Sequence, residues 1–154
     1  MELEAAMSEA KVPDGALDWV KDHVRRYLAT DGADGHMFSA GSNPPVPTLL
    51  LTTTGRKSGE KFIMPLIYGT SGDSHVIIAS KGGAPTHPGW FLNLDADPAV
   101  EVQVLADRFP ATARVATGAE RARLWAEMAA LFPPYDDYQK KAGREIPVVV
   151  LERA

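Results

Sequence analysis

Cysteine is missing from this chain, which removes disulfides, thiol nucleophiles and thiolate metal sites at once. The absence suits a cytoplasmic protein. Histidine is scarce too. His23, His36, His75 and His87 include no His-x-x-x-His pair, so no metal is expected, and His75 reads as a structural residue within a strand. No apolar run approaches the roughly 20 residues that cross a bilayer. The opening stretch, MELEAAMSEA, has glutamates where a signal peptide needs a basic region and then an apolar one. Basic charge is in the minority, with 16 Lys and Arg against 20 Asp and Glu. A net charge of -4 argues against a polyanion partner, so no nucleic acid is expected. There is no Gly-x-Ser-x-Gly elbow and no repeated βαβ pattern, which excludes an α/β-hydrolase and makes a Rossmann fold unlikely. Gly55-Arg56-Lys57-Ser58 fails as a Walker A ending, because Lys57 does not follow a glycine.

What is present reads as one domain over residues 14–154, preceded by a flexible lead-in over 1–13. Leu17, Val20, Val24 and Leu28 recur at helical spacing and predict a helix from Gly15 to Thr30. Its apolar face packs on the domain; the competing reading lays it on a membrane or a partner, helped by Arg25 and Arg26. Residues 31–47, rich in Gly, Pro, Ser and Asn, predict a loop. Strands are predicted over Thr48–Thr54, Phe62–Gly69, His75–Ser80, Ala99–Leu105, Phe109–Val115 and Ile146–Leu151, with Val100, Val102 and Val104 alternating against Glu101 and Gln103. A short helix begins near Pro88. Thr117 and Glu120 have the spacing of a capping box for a helix that Pro133-Pro134 stops near Leu131. Six strands with short links make a small antiparallel barrel with added helices, of α+β class.

Two glycine-bearing bends stand out against the acidic background. Gly55-Arg56-Lys57-Ser58-Gly59 presents two cations, a hydroxyl and turn N–H groups suited to phosphate oxygens. Ala79-Ser80-Lys81-Gly82-Gly83 ends a strand with a hydroxyl, a cation and two glycines that admit close approach. Trp90, Phe91 and Asn93 follow, a flat apolar wall beside an amide that can pair with a heterocycle. Taken singly, a basic bend is a solvated hairpin tip and a tryptophan is a core residue. Together they describe a pocket for a planar ring with an acidic, phosphorylated tail, provided Lys57, Lys81 and Trp90 share one cleft. The stretch Phe132-Pro133-Pro134-Tyr135-Asp136-Asp137-Tyr138 reads either as a surface loop folded onto the core or as the lining of that pocket.

These motifs, in this order, resemble the deazaflavin-dependent nitroreductase family. The resemblance rests on Leu50-Leu51-Thr52-Thr53-Thr54-Gly55-Arg56-Lys57-Ser58-Gly59, Pro65-Leu66, Ala79-Ser80-Lys81-Gly82-Gly83-Ala84, Pro88-Gly89-Trp90-Phe91-Leu92-Asn93-Leu94, Asp97-Pro98, Tyr135-Asp136-Asp137-Tyr138-Gln139 and Ile146-Pro147-Val148-Val149, from about Thr48 to the C-terminus. It implies a split antiparallel β-barrel of the flavin-binding type that takes coenzyme F420 and passes a hydride to a quinone, nitroaromatic or conjugated carbonyl acceptor. By the same resemblance, Arg56, Lys57 and Ser58 hold the cofactor's phosphate and acidic tail. Phe62, Ile63, Met64, Pro65, Leu66 and Ile67 line the groove, Ile78, Ala79, Ser80 and Lys81 border the ring, and Gly89, Trp90, Phe91, Leu92 and Asn93 complete the wall. Tyr135 sits near ring and acceptor, and Tyr135, Tyr138 and Ser80 are the candidate catalytic hydrogen-bond donors. Phe62 departs from the family's groove arginine, with Lys61 next door, and Phe132 departs from the first tyrosine of a three-tyrosine loop. The alternatives are an FMN- or haem-binding protein of the same fold, a non-catalytic deazaflavin carrier, and a membrane-associated accessory domain. A homodimer and a peripheral site on the inner face of the cell membrane remain open.

Overall fold

The computed structural model describes residues 10–154. Among them, eight strands make one antiparallel sheet: β1 (Met37–Phe38), β2 (Val46–Thr54), β3 (Lys61–Ile67), β4 (Gly69–Ser71), β5 (Ser74–Ile78), β6 (Ala99–Val104), β7 (Asp107–Val115) and β8 (Val148–Arg153). Pairing runs β3–β2–β6–β7–β8–β5–β4, with β1 also on β2. The sheet curls until β3 and β5 approach each other, yet they form no ladder. This is a split barrel of α+β class. Pro65, which has no N–H to donate, is tolerated in β3 because β3 is an edge strand. Four helices, α1 (Asp18–Thr30), α2 (Gly89–Ala96), α3 (Gly118–Leu131) and α4 (Pro134–Ala142), surround the sheet.

Strand alternation sorts the apolar residues onto two faces. Leu49, Leu51, Ile77, Ala79, Val100, Val102, Val149 and Leu151 fill the barrel, where Trp90, Phe91 and Leu94 of α2 join them. Val76, Ile78, Val148 and Val150 face outward and are covered by Leu124 and Met128 of α3 and by Phe132 and Tyr135. Leu50 and Ile63 face outward elsewhere and are covered by Val24 and Tyr27 of α1. Each fully buried leucine contributes about 1.5–3 kcal/mol relative to exposure. The apolar face of α1 is therefore spent on the domain, while Arg25 and Arg26 pair with Asp22, and Arg26 also with Asp34. No helix among the described residues is long and apolar enough to cross a membrane.

Several boundaries differ from expectation for local reasons. The expected strand over 62–69 breaks at Tyr68, so β4 is separate, and with β1 the strands among the described residues number eight, not six. The loop over 31–47 contains β1 and the first residues of β2. The paired prolines end α3 but also start α4, because a proline in the first turn gives up no helical N–H bond; the expected loop 132–138 is mostly helix. Thr117 makes no side-chain cap, and Glu120 instead grips Arg114 at 2.6 and 2.9 Å. Of the lead-in expected over 1–13, residues 1–9 lie outside the described residues. Lys11 is paired with β3: its N–H donates to the Lys61 carbonyl at 3.0 Å, and its carbonyl accepts from Ile63 at 2.9 Å.

Tyr27 fastens α1 to the barrel. Its hydroxyl donates to the Thr48 carbonyl at 3.0 Å, lies 3.4 Å from the Gln103 carbonyl, and accepts the Leu105 N–H at 2.9 Å. Leu105 holds φ +55 in the β6–β7 turn, a left-handed conformation that costs a leucine about 1–2 kcal/mol. Burial pushes the Tyr27 hydroxyl up to about 12, against the milder opposing effect of the Leu105 N–H. Its folded value lies above its unfolded value of 10.0, so its contribution is whole below pH 10 and is lost as pH rises toward 12. Tyr27→Phe should cost about 1–3 kcal/mol in urea unfolding at neutral pH. It should also flatten the decline in stability above pH 10 relative to the parent protein.

Candidate active site

A cleft of about 910 Å³ opens at the split between β3 and β5. One wall is the bend after β2, held by Gly55 N–H to the Glu60 carbonyl at 2.7 Å and Gly59 N–H to the Gly55 carbonyl at 2.9 Å. A Cβ on Gly55 would lie 2.6 Å from the Phe62 ring, so only glycine lets that ring close the base of the bend. Arg56, Lys57 and Ser58 project from here. β3 supplies Phe62, Met64, Pro65, Leu66 and Ile67, and the opposing end of β5 supplies Ile78, Ser80 and Lys81. The N-terminal turn of α2 adds Gly89, Trp90 and Asn93, and α4 adds Tyr135 and Tyr138 with Phe132 before it.

Electrostatics divide the cleft. Arg56, Lys57 and Lys81 meet no carboxylate among the described residues. Arg56 is aimed by Asn93: the amide oxygen accepts from the Arg56 backbone N–H at 3.2 Å and from its guanidinium at 2.8 Å. The Asn93 NH₂ in turn donates to Thr53 Oγ1 at 3.2 Å. Lys81 donates to Thr86 Oγ1 at 3.2 Å. The far side is aromatic. Tyr135 is 4% exposed and packs edge-on against Phe132 and Tyr138 with centroids 5.1 and 6.2 Å away. Burial, with Tyr138 beside it, pushes the Tyr135 hydroxyl well above the usual phenol range. It therefore stays protonated at neutral pH, and it has no hydrogen-bond partner among the described residues.

The curled antiparallel sheet is shared with solved structures. The family model described as F420H(2)-dependent quinone reductase matches residues 19–153. The chain belongs to that family. The F420H(2)-dependent quinone reductase Rv1261c of Mycobacterium tuberculosis (strain ATCC 25618 / H37Rv) is 40% identical over 134 residues, 85% of this chain and 87% of its own. A structure described as the F420-H2 dependent reductase FDR-A is 43% identical with a TM-score of 0.65, covering 69% of this chain and 94% of that one. Another, described as a domain-swapped dimer, is 39% identical with a TM-score of 0.67, covering 88% of this chain and 98% of that one. The F420H(2)-dependent quinone reductase match extends past the motifs that begin near Thr48 and takes in α1.

Within this quinone reductase family member, the cleft gathers Arg56, Lys57, Ser58, Phe62, Met64, Pro65, Leu66, Ile67, Ile78, Ser80, Lys81, Gly89, Trp90, Asn93, Tyr135 and Tyr138. Lys57, Lys81 and Trp90 thus share one cavity. Four expected residues point elsewhere. Ile63 and Ala79 alternate with cleft-lining neighbours and so face α1 and the barrel interior. Phe91 is buried within the barrel against the His87 ring, 4.8 Å between centroids, and Leu92 packs on the same core. Asn93 is at the cleft, but its amide is committed to Arg56 and Thr53. Lys61 does not replace the missing groove arginine, since its ammonium turns to Thr54 Oγ1 at 2.9 Å and lies 3.8 Å from Glu101.

Trp19, His23 and Phe38 line the cleft unforeseen. Their rings stack, with centroids 5.8 Å apart for Trp19–Phe38 and 5.9 Å for His23–Phe38. Trp19 and His23 are four residues apart on a helix, so they share a face; that spacing was the available signal. Phe38 lay in a stretch with no periodicity. Asn93→Ala should free Arg56 and leave Thr53 Oγ1 without its donor, at a cost of about 1–3 kcal/mol in chemical denaturation.

Proposed function

We propose that this chain oxidises reduced coenzyme F420 and reduces a quinone-type acceptor in the cleft at the barrel split. One observation carries the proposal: Arg56, Lys57 and Lys81, with no carboxylate partners among the described residues, line one cleft together with apolar and aromatic side chains such as Met64, Pro65, Trp90 and Phe132. All three are solvent-exposed, so they are available to an arriving anion and raise its local concentration at the cleft. A deazaflavin with a phosphorylated, acidic tail and a planar ring matches both the cations and the apolar walls. FMN lacks the long acidic tail and gives the basic bend less to hold.

When bound, the reduced deazaflavin supplies a hydride. The chain supplies no nucleophile. Arg56, Lys57 and Ser58 hold the tail; Met64, Pro65, Leu66, Ile78 and Trp90 hold the ring between apolar surfaces and exclude water. A quinone that gains a hydride carries negative charge on an oxygen and needs one proton to become a hydroquinone. Tyr135, kept protonated by burial, and Tyr138 donate hydrogen bonds to that oxygen, and Ser80 lies across the cleft as a third donor. The apolar arm formed by Trp19, Phe38 and Phe132 takes the acceptor's hydrocarbon part. Association with a second copy is a separate expectation, motivated by the 39% identical chain described as a domain-swapped dimer; light scattering reads the mass. A membrane role for α1 keeps only Leu17 and Trp19 exposed near the mouth, 63% and 54%, and a liposome flotation assay decides it.

Titrating the protein separately with F420 and FMN, then following loss of reduced-F420 absorbance with a quinone, tests the proposal. F420 should bind in the range of about 1 μM or tighter. Arg56→Ala with Lys57→Ala should weaken it at least about tenfold at low salt, since each charge-assisted contact is worth about 1.5–3 kcal/mol. The gap should narrow as salt rises. Tyr135→Phe combined with Tyr138→Phe should lower kcat about 100-fold. Binding without loss of hydride to any acceptor would instead indicate a carrier, and tighter binding of FMN would overturn the cofactor assignment.

A further inference from the structure

Arg144 lies between α4 and β8, and the proposed chemistry gives it no role. Its guanidinium nevertheless makes four contacts, all to one segment. Nε donates to the Ala84 carbonyl at 3.0 Å, and Nη2 donates to the Ala79 and Ser80 carbonyls at 3.3 and 3.1 Å. Nη1 lies 3.0 Å from His87 Nδ1. Arginine has no lone pair to offer, so that nitrogen accepts and the ring proton sits on Nε2. None of the four partners is a carboxylate. A charged fork used wholly on neutral acceptors of a single bend serves to hold the shape of that bend.

The bend needs holding. Lys81, Gly82 and Gly83 all have positive φ, at 49, 63 and 83°, and Lys81 is not a glycine. Its own bonds are the Gly83 N–H to the Ser80 carbonyl and the Ala84 N–H to the Lys81 carbonyl, at 3.0 and 3.1 Å. Direction follows from the covalent structure. The Ala79 N–H donates to the Pro147 carbonyl at 3.0 Å, which turns Ala79 toward β8, the side where Arg144 waits. In a trans peptide the C=O and the following N–H point opposite ways, and no peptide among the described residues is cis. With the Ala79 and Ser80 carbonyls drawn to Arg144, the Ser80 and Lys81 N–H groups point away from β8, to the side that β4 leaves uncovered past Val76 and where Ile78, Ser80 and Lys81 line the cleft. Ser80 is right-handed at φ −79° and Lys81 left-handed. That succession gathers neighbouring N–H groups into an anion-accepting concavity.

We propose that Arg144 is a positioning residue: it clamps the 79–87 segment from behind so that the Ser80 and Lys81 N–H groups face negative charge in the cleft. The clamp itself is a property of the ligand-free chain. Its consequence for the deazaflavin rests on the function proposed above. Arg144 touches neither cofactor nor acceptor, and acts through two peptide units.

Arg144→Lys keeps the charge but not the fork, and Arg144→Ala removes both. Amide hydrogen exchange on the ligand-free proteins should show the hydrogen-bonded amides of the 79–87 segment, those of Ala79, Gly83 and Ala84, exchanging at least about tenfold faster in both variants, with β6 and β7 unchanged. In turnover, F420 affinity and kcat should each fall about tenfold, as expected for two misdirected donors, while KM for the quinone stays level. Added ethylguanidinium should restore part of the kcat of Arg144→Ala. Unchanged exchange at 79–87 would overturn the proposal. So would acceleration spread evenly over β6 and β7, or an undiminished F420 affinity in Arg144→Lys. If the parent protein fails to bind F420, the functional proposal fails by itself, and the exchange comparison still decides the clamp. Should Arg144→Ala not fold, Arg144→Lys and His87→Leu, which removes one of the four contacts, carry the comparison.

Discussion

The barrel does not close, and the site exists because of that gap. β3, at one end of the curled sheet, and β5, next to the short β4 at the other, approach each other but exchange no ladder hydrogen bonds. An open strand edge invites whatever can meet its polar groups and cover its side chains. Here α1 and α4 cover the flanks, α2 plugs the barrel beneath, and the space that remains is the cleft. The same strand alternation that fills the barrel with Ile77 and Ala79 sends Ile78 and Ser80 out to the gap. A closed barrel with identical residues would leave Arg56 and Lys57 as an ordinary solvated hairpin.

The gap also explains where the charge is. The chain is acidic overall, at -4, and most basic side chains are paired on the surface, as with Arg114 to Glu120 and Arg153 to Asp107. Exposed pairs of that kind contribute little to stability. Arg56, Lys57 and Lys81 have no carboxylate partner among the described residues, and local hydrogen bonds aim Arg56 and Lys81 without neutralising them. Asn93 steers Arg56 through its oxygen and spends its nitrogen on Thr53. The site is thus built in layers, with a buried amide orienting a cation and a cation behind a bend orienting backbone N–H groups.

Legibility in the sequence followed the range of each interaction. The bends at Gly55–Gly59 and Ser80–Gly83 were visible because turn chemistry is local, and the strands were visible because alternation is local. What was missed depends on which face a residue takes after tertiary packing. Ile63 and Ala79 were grouped with their neighbours as cofactor contacts, although a period of two sends adjacent side chains to opposite faces. Phe91 and Leu92 follow Trp90 in sequence and read with it as one wall, but a helix turns about 100° per residue and sends them to the barrel core. The helix at Pro134 was hidden because two prolines read as a stop before they read as a start. Thr117 and Glu120 had capping-box spacing, yet Arg114 on β7 was the stronger partner for the carboxylate. Trp19 and Phe38 could not have been joined from sequence, since their stacking requires α1 and β1 to meet across the mouth of the cleft.

The two departures from the family pattern bear on different ends of the cleft. Phe62 stands where the resemblance implies a groove arginine, and Lys61 is turned away to Thr54 and Glu101, so in the proposed reading the tail is left to Arg56, Lys57 and Ser58. The Phe62 ring cannot replace a cation, but it fills the space against Gly55 that sets the shape of the basic bend. Phe132 removes a hydroxyl from the aromatic end while keeping the ring, edge-on to Tyr135 at 5.1 Å. An apolar ring beside Tyr135 adds to the desolvation that keeps its hydroxyl protonated. Hydrogen-bonding capacity is concentrated on Tyr135 and Tyr138, and the rest of the acceptor wall becomes more apolar, a balance that favours a lipophilic acceptor with few polar groups over a heavily substituted one.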